Sequence, residues 1–334
     1  MSSLVNVAIH PSQSPENVRL DLLESLRSRR LNHKFHYDSF RQTQKWLALH
    51  RAFSPSRADA DCAAVYDRSF DAAVKLIKAS SVHLLGLGCG GGEKDTRLLK
   101  AFRARGAEIY YTPCDVSVAM TLEARRTALS VVPEQHCFPF VCDLASAEDL
   151  PEALENHVKP RSARLITFFG MIPNFESQLI LPKLARLVRR RDFLLFSANL
   201  APGRDYAAGM KKILPQYDNA PTRDWLMAFL LDLGVGRSDG ELRFAIENDP
   251  AGSGLKRVTA CFHFARSRRI QVGAERFQFH PGESIRLFFS NRHTPELVRS
   301  LLDQHGLEVR GGWIAKSGEE GVFLCACARR PARR

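Results

Sequence analysis

Hydrophobic and polar positions along the chain alternate with two different periods. Between residues 82 and 197, short apolar runs predict strands at 82–87, 108–113, 137–142, 163–169 and 193–197. The segments between them carry apolar residues at helical spacing, at 93–105, 118–132 and 176–188. Buried strands that alternate with amphipathic helices are typical of a parallel sheet covered on both faces. The fold class predicted for this region is therefore α/β.

The pattern changes beyond residue 201. Residues 202–238 have a helical pattern with proline-containing joints, and 241–290 alternate as antiparallel strands do. Near the end, Thr294 and Pro295 begin a helix, and two strands follow at 307–314 and 322–328. A helix and a strand hairpin therefore close the chain.

Composition excludes several classes of protein. The chain has 334 residues, 45% of them hydrophobic and 25% charged, which is enough to bury a full core. It contains no apolar run of about 18 residues and no apolar leader, so we expect a cytoplasmic protein without a membrane span. The eight cysteines fit small reduced core residues, because no paired Cys or His spacing predicts a metal site.

The net charge of +12 raises the possibility of a nucleic-acid partner. The basic residues are scattered, and their densest groups are Arg189–Arg191 at a predicted helix end and the tail 329–334. Arginines at a helix C-terminus complement the macrodipole, and basic tails are usually solvated. Charge therefore favours a small-molecule partner over a nucleic acid.

A glycine-rich turn, 86–92, joins the first predicted strand to the first predicted helix. Glycines allow a sharp turn and a close approach of ligand to backbone, and the helix directs its N-terminal amides at that ligand. The spacing satisfies both the dinucleotide fingerprint and, at Gly88-x-Gly90, that of S-adenosylmethionine. The turn alone does not decide between these cofactors.

Acidic residues at the next strand ends favour S-adenosylmethionine over NAD. Asp115 follows the second strand, where a carboxylate accepts hydrogen bonds from a ribose diol. Asp143 and Leu144 follow the third strand, where an acid suits the adenine amino group. The closing hairpin matches the antiparallel last strand of class I methyltransferases. We therefore predict a class I Rossmann-like methyltransferase sheet with an S-adenosylmethionine site.

The fourth strand lacks the motif of enzymes that methylate the nitrogens of nucleic-acid bases. Those enzymes usually carry Asn/Asp-Pro-Pro-aromatic after it, whereas this chain has Gly-Met-Ile-Pro-Asn-Phe at 170–175. Pro113 and Cys114 imitate the nucleophile motif of cytosine C5 enzymes but follow the wrong strand. The predicted chemistry thus also disfavours nucleic acid.

Several segments together resemble the histidine-specific N-methyltransferase family of ergothioneine biosynthesis. They cover roughly residues 30–330 in the same order as in the family: Phe35-His36-Tyr37-Asp38, Ser54–Arg57, Leu87–Gly90, Glu93-Lys94, Asp115–Ser117, Phe169-Gly170, Asn174-Phe175, Tyr217-Asp218 and Gly282–Arg286 with Ser290. The resemblance implies a class I domain interrupted by a second, α+β domain that closes over an amino-acid substrate. Composition shifts near residues 57, 201 and 291 agree with a methyltransferase domain of 57–201 and 292–334 and a substrate-binding domain of 1–56 and 202–291.

The resemblance also implies how an amine is held. In the family, an asparagine and a tyrosine hold the α-amino group, and they match Asn174 and Tyr37 of this chain. Methyl transfer needs a neutral, correctly aimed amine, so positioning supplies much of the rate. A carboxamide and a phenol orient an amine without adding a full charge, and the sulfonium requires no metal.

Departures from the family concern the substrate side chain. The family's imidazole-binding glutamate is replaced by Phe288, although Ser290 is retained, and a family tyrosine is replaced by Ser54. A phenyl ring cannot accept the imidazole N–H. We therefore expect an apolar or aromatic side chain in place of histidine's, as in relatives that methylate prenylated tryptophan, while Tyr217 matches a tyrosine that contacts the substrate carboxylate.

The sequence thus predicts an S-adenosylmethionine-dependent N-methyltransferase of an amino acid or an amino-acid-derived small molecule. The residues expected to hold the cofactor are Gly88, Gly90, Lys94, Asp115, Asp143 and Leu144. Two alternatives stay open: a scaffold that binds the cofactor without catalysis, and a nucleic-acid methyltransferase that uses the positive charge.

Overall fold

The computed structural model describes residues 4–54, 57 and 59–328. The basic tail 329–334 and part of the segment Ser54–Arg57, both singled out from the sequence, lie outside these residues. The α-helices are α1 (Pro15–Arg27), α2 (Phe40–Phe53), α3 (Ala60–Leu76), α4 (Glu93–Ala104), α5 (Val118–Ala128), α6 (Leu150–Glu155), α7 (Ser177–Leu187), α8 (Tyr206–Tyr217), α9 (Ala220–Asp232) and α10 (Pro295–Gln304). None of these helices, within the described ranges, is long and apolar enough to cross a membrane.

The strands of the described residues form three sheets. They are β1 (Ala8–Ile9), β2 (Ser81–Leu87), β3 (Glu108–Asp115), β4 (Phe140–Val141), β5 (Ala163–Phe168), β6 (Phe193–Asn199), β7 (Gly240–Asn248), β8 (Lys256–Phe264), β9 (Arg268–Val272), β10 (Glu275–Phe279), β11 (Ser284–Arg292), β12 (Leu307–Ile314) and β13 (Glu320–Cys327). The largest sheet has the order β1-β4-β3-β2-β5-β6-β13-β12.

The large sheet is parallel except at its last two strands. β2 pairs in parallel with both β3 and β5, and β13 inserts antiparallel between β6 and β12. This arrangement confirms the α/β class and the antiparallel closing hairpin of a class I methyltransferase. The carboxyl ends of β2, β3 and β5 consequently meet at one edge, where open α/β sheets bind ligands.

The third predicted strand is much shorter than expected. Pro139 has no N–H and interrupts the ladder, so that β4 retains only two paired residues, although Cys137 forms an isolated bridge to Tyr111. β1 pairs in parallel with β4 and extends the sheet beyond the pattern recognised in the sequence. The N-terminal segment therefore reaches the large sheet, and the bounds of the two domains stay a prediction.

The alternation of β2 explains how this sheet is covered. Leu84 packs into a core with α3 and α4, including Phe70 and Leu98, while its neighbour Leu85 packs into the opposite core with Leu184 of α7. Successive side chains of a strand face opposite sides of the sheet, so a continuous apolar run places hydrophobic side chains in the core on each side. The sheet is therefore packed between two hydrophobic cores behind its ligand-binding edge.

A separate core lies beneath the antiparallel sheet β11-β8-β7. It joins Leu26 of α1 and Phe35 to Trp225 of α9 and to Phe262 and Ile285 of the sheet. The two chain segments of the predicted substrate-binding domain, 1–56 and 202–291, therefore contribute residues to one hydrophobic cluster.

A β-bulge in β11 decides which of its side chains face the rest of the protein. Register with β8 shifts between Arg286 and Phe288, which places Leu287 and Phe288 in the core of this smaller sheet. Two histidine side chains hydrogen-bond the backbone groups of the bulge. His36 Nε2 donates to the carbonyl of Leu287 at 2.8 Å, and His33 Nε2 accepts the N–H of Phe289 at 3.2 Å. The bulge thereby directs Phe289 away from the core.

The smaller core should be indispensable for stability. Phe279 is fully buried, stacks on Phe264 with ring centroids 4.5 Å apart, and lies beneath the Arg29 guanidinium. We expect Phe279→Ala to lower the free energy of unfolding by about 3–5 kcal/mol in a urea titration. Phe40→Ala, at a ring that is 72% exposed, is the matched control and should change it by less than about 0.5 kcal/mol. Equal effects would contradict this assignment of the core.

Candidate active site

A cavity of about 560 Å³ lies at the carboxyl edge of the large sheet, against β11 and the N-terminal helices. Its volume is within the range of small-molecule sites. The sequence-predicted site residues that line it are Tyr37, Gly88, Gly90, Lys94, Asp115, Asp143, Leu144 and Asn174. The fold therefore brings the predicted cofactor residues and the predicted amine-binding pair together.

The glycine turn after β2 is fixed from below by Asp115. One carboxylate oxygen accepts the N–H of Gly90 at 3.1 Å, and the other accepts that of Ser117 at 3.1 Å. Gly88 has φ +64° and Gly90 has φ +52°, and a Cβ on Gly88 would fall 2.2 Å from the sulfur of Met171. Glycine is required at both positions, because side chains rarely adopt this backbone conformation.

Asp143 follows β4 and lines the cavity. Its Oδ1 accepts the N–H of Ala145 at 2.9 Å, and Ser12 Oγ accepts the backbone N–H of Asp143 at 3.0 Å. The other oxygen, Oδ2, is buried and forms an ion pair with Lys34 Nζ at 3.3 Å. The carboxylate is therefore held charged and in place beside Leu144 on the cavity wall.

Lys94 belongs to a buried polar network. Its Nζ donates to the Tyr66 hydroxyl at 3.0 Å, and that hydroxyl donates to Glu320 at 2.5 Å. Burial lowers the pKa of Lys94, while the Glu320 carboxylate opposes the shift. Since one Nζ proton serves Tyr66, the others are available to an acceptor in the cavity.

Asn174 is oriented by the second sheet. Its Nδ2 donates to the carbonyl of Phe289 at 2.7 Å, which directs the amide and leaves Oδ1 without a hydrogen bond to any described residue. Pro173 and the short 3₁₀ turn Ile172–Asn174 place this residue directly after β5. The free oxygen on the cavity wall is an acceptor for a ligand N–H.

Tyr37 stands among aromatic rings and lines the same cavity. Its ring centroid is 5.8 Å from that of Trp46 and 5.7 Å from that of Trp225. Burial, with a smaller contribution from the Asp115 carboxylate, raises the pKa of Tyr37 well above its ordinary value. The phenol is therefore protonated at neutral pH, and its oxygen remains an acceptor as well as a donor.

Three predicted substrate contacts do not line this cavity. Phe288 packs inside the smaller core, with its ring centroid 5.9 Å from that of Trp225, because the bulge at Leu287 turns it inward. The Tyr217 hydroxyl hydrogen-bonds Ser290 Oγ at 2.8 Å and accepts from Arg292 Nε at 3.1 Å. Phe289 faces the cavity in place of Phe288.

Several residues of the cavity wall were not among the predicted site residues. Lys34 is almost fully buried, pairs with Asp21 and accompanies His33, while Trp46 and Arg286 come from α2 and β11. Burial lowers the pKa of His33 well below its ordinary value, so its imidazole is neutral. The N-terminal segment has no glycine motif or strand-end pattern. Only its resemblance to the family, at Phe35-His36-Tyr37-Asp38, indicated that this segment contributes to the site.

Comparison with known families decides the identity of this site. The model of a family described as histidine-specific, S-adenosylmethionine-dependent methyltransferases matches residues 18–222 and 251–327 of this chain. The chain belongs to this family. The resemblance inferred from the sequence is thus confirmed, and so are the methyltransferase activity and S-adenosylmethionine as the cofactor.

Individual relatives are distant. The chain is 22% identical to the N-methyltransferase imqF of Aspergillus flavus over 251 residues, which covers 73% of this chain and 67% of that protein. Among solved structures, magnesium protoporphyrin IX methyltransferase from Synechocystis has a TM-score of 0.43 at 12% identity, covering 88% of this chain and 97% of that one. The CcbJ methyltransferase of Streptomyces caelestis has 0.40 at 11%, covering 79% and 89%.

The residues of this methyltransferase fit its cofactor. The buried Asp115 carboxylate suits the ribose hydroxyls, the Asp143 carboxylate suits the adenine amino group, and Lys94 suits the carboxylate of the cofactor. We propose these roles from the chemistry of these side chains and their positions on the cavity wall. Burial raises the pKa of Asp115 to about 6, although the N–H groups of Ser117 and Gly90 oppose the shift.

The raised pKa predicts that cofactor binding depends on pH. Below pH 6, Asp115 of the unliganded protein is mostly protonated and no longer offers a carboxylate to the ribose. The affinity for the cofactor should therefore fall as the pH falls. We expect S-adenosylhomocysteine to bind about tenfold more weakly at pH 5 than at pH 7.5 in calorimetry. Asp115→Asn should bind weakly at both pH values. An unchanged pH slope in this variant would exclude Asp115 as the titrating group.

The crowded glycine turn supplies another prediction. Gly88→Ala should weaken S-adenosylhomocysteine binding by at least about tenfold, because the new methyl group strains the turn and displaces Met171. Gly106→Ala is the matched control, since Gly106 also has a positive φ, +86°, but has open space around its Cβ position away from the cavity. The control should bind normally; equal losses in both variants would mean that general backbone strain is responsible.

Proposed function

We propose that this methyltransferase transfers a methyl group to the amino nitrogen of an apolar or aromatic amino acid, or of a small molecule derived from one, and that free histidine is a poor acceptor. The observation that carries the proposal is the free amide oxygen of Asn174 in the cavity that Tyr37 and the cofactor residues also line.

The two oxygens suit a neutral primary amine. Such an amine has two N–H groups and one lone pair, so acceptors at Asn174 Oδ1 and Tyr37 Oη engage both N–H groups and leave the lone pair to be aimed. When bound, S-adenosylmethionine supplies a methyl group activated by the positive charge on its sulfur. Neither residue adds a full charge that would favour the unreactive ammonium form, because the Tyr37 phenol is protonated. Orientation is thus the proposed contribution of the protein.

The walls near the amine site support an apolar side chain. Phe175, Leu179, Met171 and Phe289 line the cavity. The glutamate by which the family holds an imidazole is absent from its position, which Phe288 occupies in the core. Apolar surface buried against such walls contributes to affinity, whereas an imidazole would lose its hydrogen bonds.

Transfer from methyl-deuterated S-adenosylmethionine tests the proposed acceptor class. Purified protein is offered histidine, tryptophan, phenylalanine, tyrosine, their decarboxylated amines and a cell extract, and products are identified by mass spectrometry. We expect a labelled aromatic amino acid and no labelled histidine. Labelled histidine would overturn the substrate argument. A protein that binds the cofactor but labels nothing would favour the non-catalytic scaffold.

Substitution of the proposed amine-binding pair tests the mechanism. Asn174→Ala should lower kcat/KM for the acceptor by about 100-fold, and Tyr37→Phe by about tenfold or more, because the amine loses its orientation. Both variants should bind S-adenosylhomocysteine normally.

Matched controls are available outside the cavity. Asn156 is exposed, and the Tyr110 hydroxyl donates to the exposed Glu108 at 2.7 Å. Asn156→Ala and Tyr110→Phe should retain full activity. Normal turnover in Asn174→Ala would refute its role in holding the amine.

A further inference from the structure

Arg286 is a half-buried cation on the cavity wall without an anionic partner. Its guanidinium forms no hydrogen bond or ion pair with any residue that the structure describes, although it lies over the Phe289 ring, 4.9 Å from its centroid. A partly desolvated charge without a counter-ion is costly to maintain. Burial, together with Arg257 and Arg30, accordingly lowers the pKa of Arg286.

Arg30 lies next to Arg286 at the exposed rim of the cavity. The two residues form a parallel β-bridge, in which the N–H of Leu31 donates to the Arg286 carbonyl at 2.8 Å. Within the described chain, Arg30 also has no ion pair, whereas nearby Arg27 and Arg29 pair with Glu275 and Glu283. Among the described residues, Arg27 and Arg29 therefore have carboxylate partners, whereas the two arginines that line the cavity, Arg30 and Arg286, have none.

The acidic groups of the cavity lining compensate this pair only in part. Glu176 opposes the lowering of the Arg286 pKa, but it is engaged by Arg257, with Nη1 and Oε1 3.4 Å apart, and Asp21 is engaged by Lys34. Glu24 is exposed at the rim. Arg286 and Arg257 also contribute to lowering the pKa of His33, which is consistent with a wall of positive potential.

The position of Arg286 relates it to the proposed amine site. Phe289 connects the two: its carbonyl accepts the amide of Asn174, and its ring lies beneath the Arg286 guanidinium. Phe289 thus contacts both the amine acceptor and the cation. An amino acid carries its amine and its carboxylate on one carbon atom, so that a single molecule presents both groups to neighbouring residues.

We propose that Arg286, with Arg30 beside it, binds a carboxylate of the acceptor substrate and so selects amines that carry a carboxylate over neutral amines. The guanidinium fork matches the two oxygens of a carboxylate. This assignment rests on the proposed function and replaces the role expected of Tyr217, whose hydroxyl is bonded to Ser290 and Arg292 away from the cavity.

Binding to the protein saturated with S-adenosylhomocysteine tests this subsite without turnover. The probes are tryptophan and phenylalanine with their carboxamides, titrated by calorimetry into wild type, Arg286→Gln and Arg286→Lys. At least one acid should bind wild type about tenfold or more tightly than its amide, and Arg286→Gln should remove that difference while leaving the amide's affinity unchanged. Arg286→Lys should restore part of it.

Arg276→Gln is the matched control, since it removes the same charge from an exposed position on β10. It should preserve the preference for the acid, and all variants should bind S-adenosylhomocysteine normally. Equal affinity for acids and amides, equal weakening of both by Arg286→Gln, or no binding of any acid would overturn the proposal.

Methyl transfer to the same probes separates this inference from the proposed function. Acids that bind through Arg286 but are never methylated would refute the proposed function and keep the anion subsite. Amides methylated as efficiently as acids would refute the subsite and keep the amine methyltransferase.

Discussion

The hydrogen bond from the Asn174 amide to the Phe289 carbonyl, 2.7 Å long, is the contact on which the arrangement of the site depends. Asn174 ends the 3₁₀ turn that follows β5 of the cofactor-binding sheet, and Phe289 belongs to the sheet of the other core. This hydrogen bond joins the two parts of the molecule beside that of Asn291 Nδ2 to the Phe175 carbonyl, and it determines which atom of the Asn174 amide faces the cavity. Because carboxamide donors and acceptors are distinct, this contact leaves an acceptor for an amine.

The cavity is divided by charge. Asp115 and Asp143 offer carboxylates at the ends of β3 and β4, where ribose and adenine hydroxyl and amino groups need acceptors. Arg286 offers donors beside Phe289. Buried charges are tolerated where a ligand or a backbone N–H compensates them. The distribution of charge thus matches a cofactor with donors at one end and an acceptor substrate with an anion at the other.

The cofactor half of the site could be predicted from the sequence because its residues follow buried strands in chain order. Gly88, Asp115 and Asp143 each end an apolar run, and parallel strands bring such ends to one edge. The wall formed by β11 could not be predicted in this way. One additional residue at Leu287 reverses the faces of Phe288 and Phe289, and the histidines that support this bulge come from a turn more than 250 positions earlier.

The decisive measurement is the structure of the protein in complex with S-adenosylhomocysteine and an acceptor identified by label transfer. We expect the acceptor nitrogen to lie within hydrogen-bond distance of both Asn174 Oδ1 and Tyr37 Oη. An acceptor whose nitrogen approaches the cofactor while both of these oxygens remain unbound would contradict this expectation.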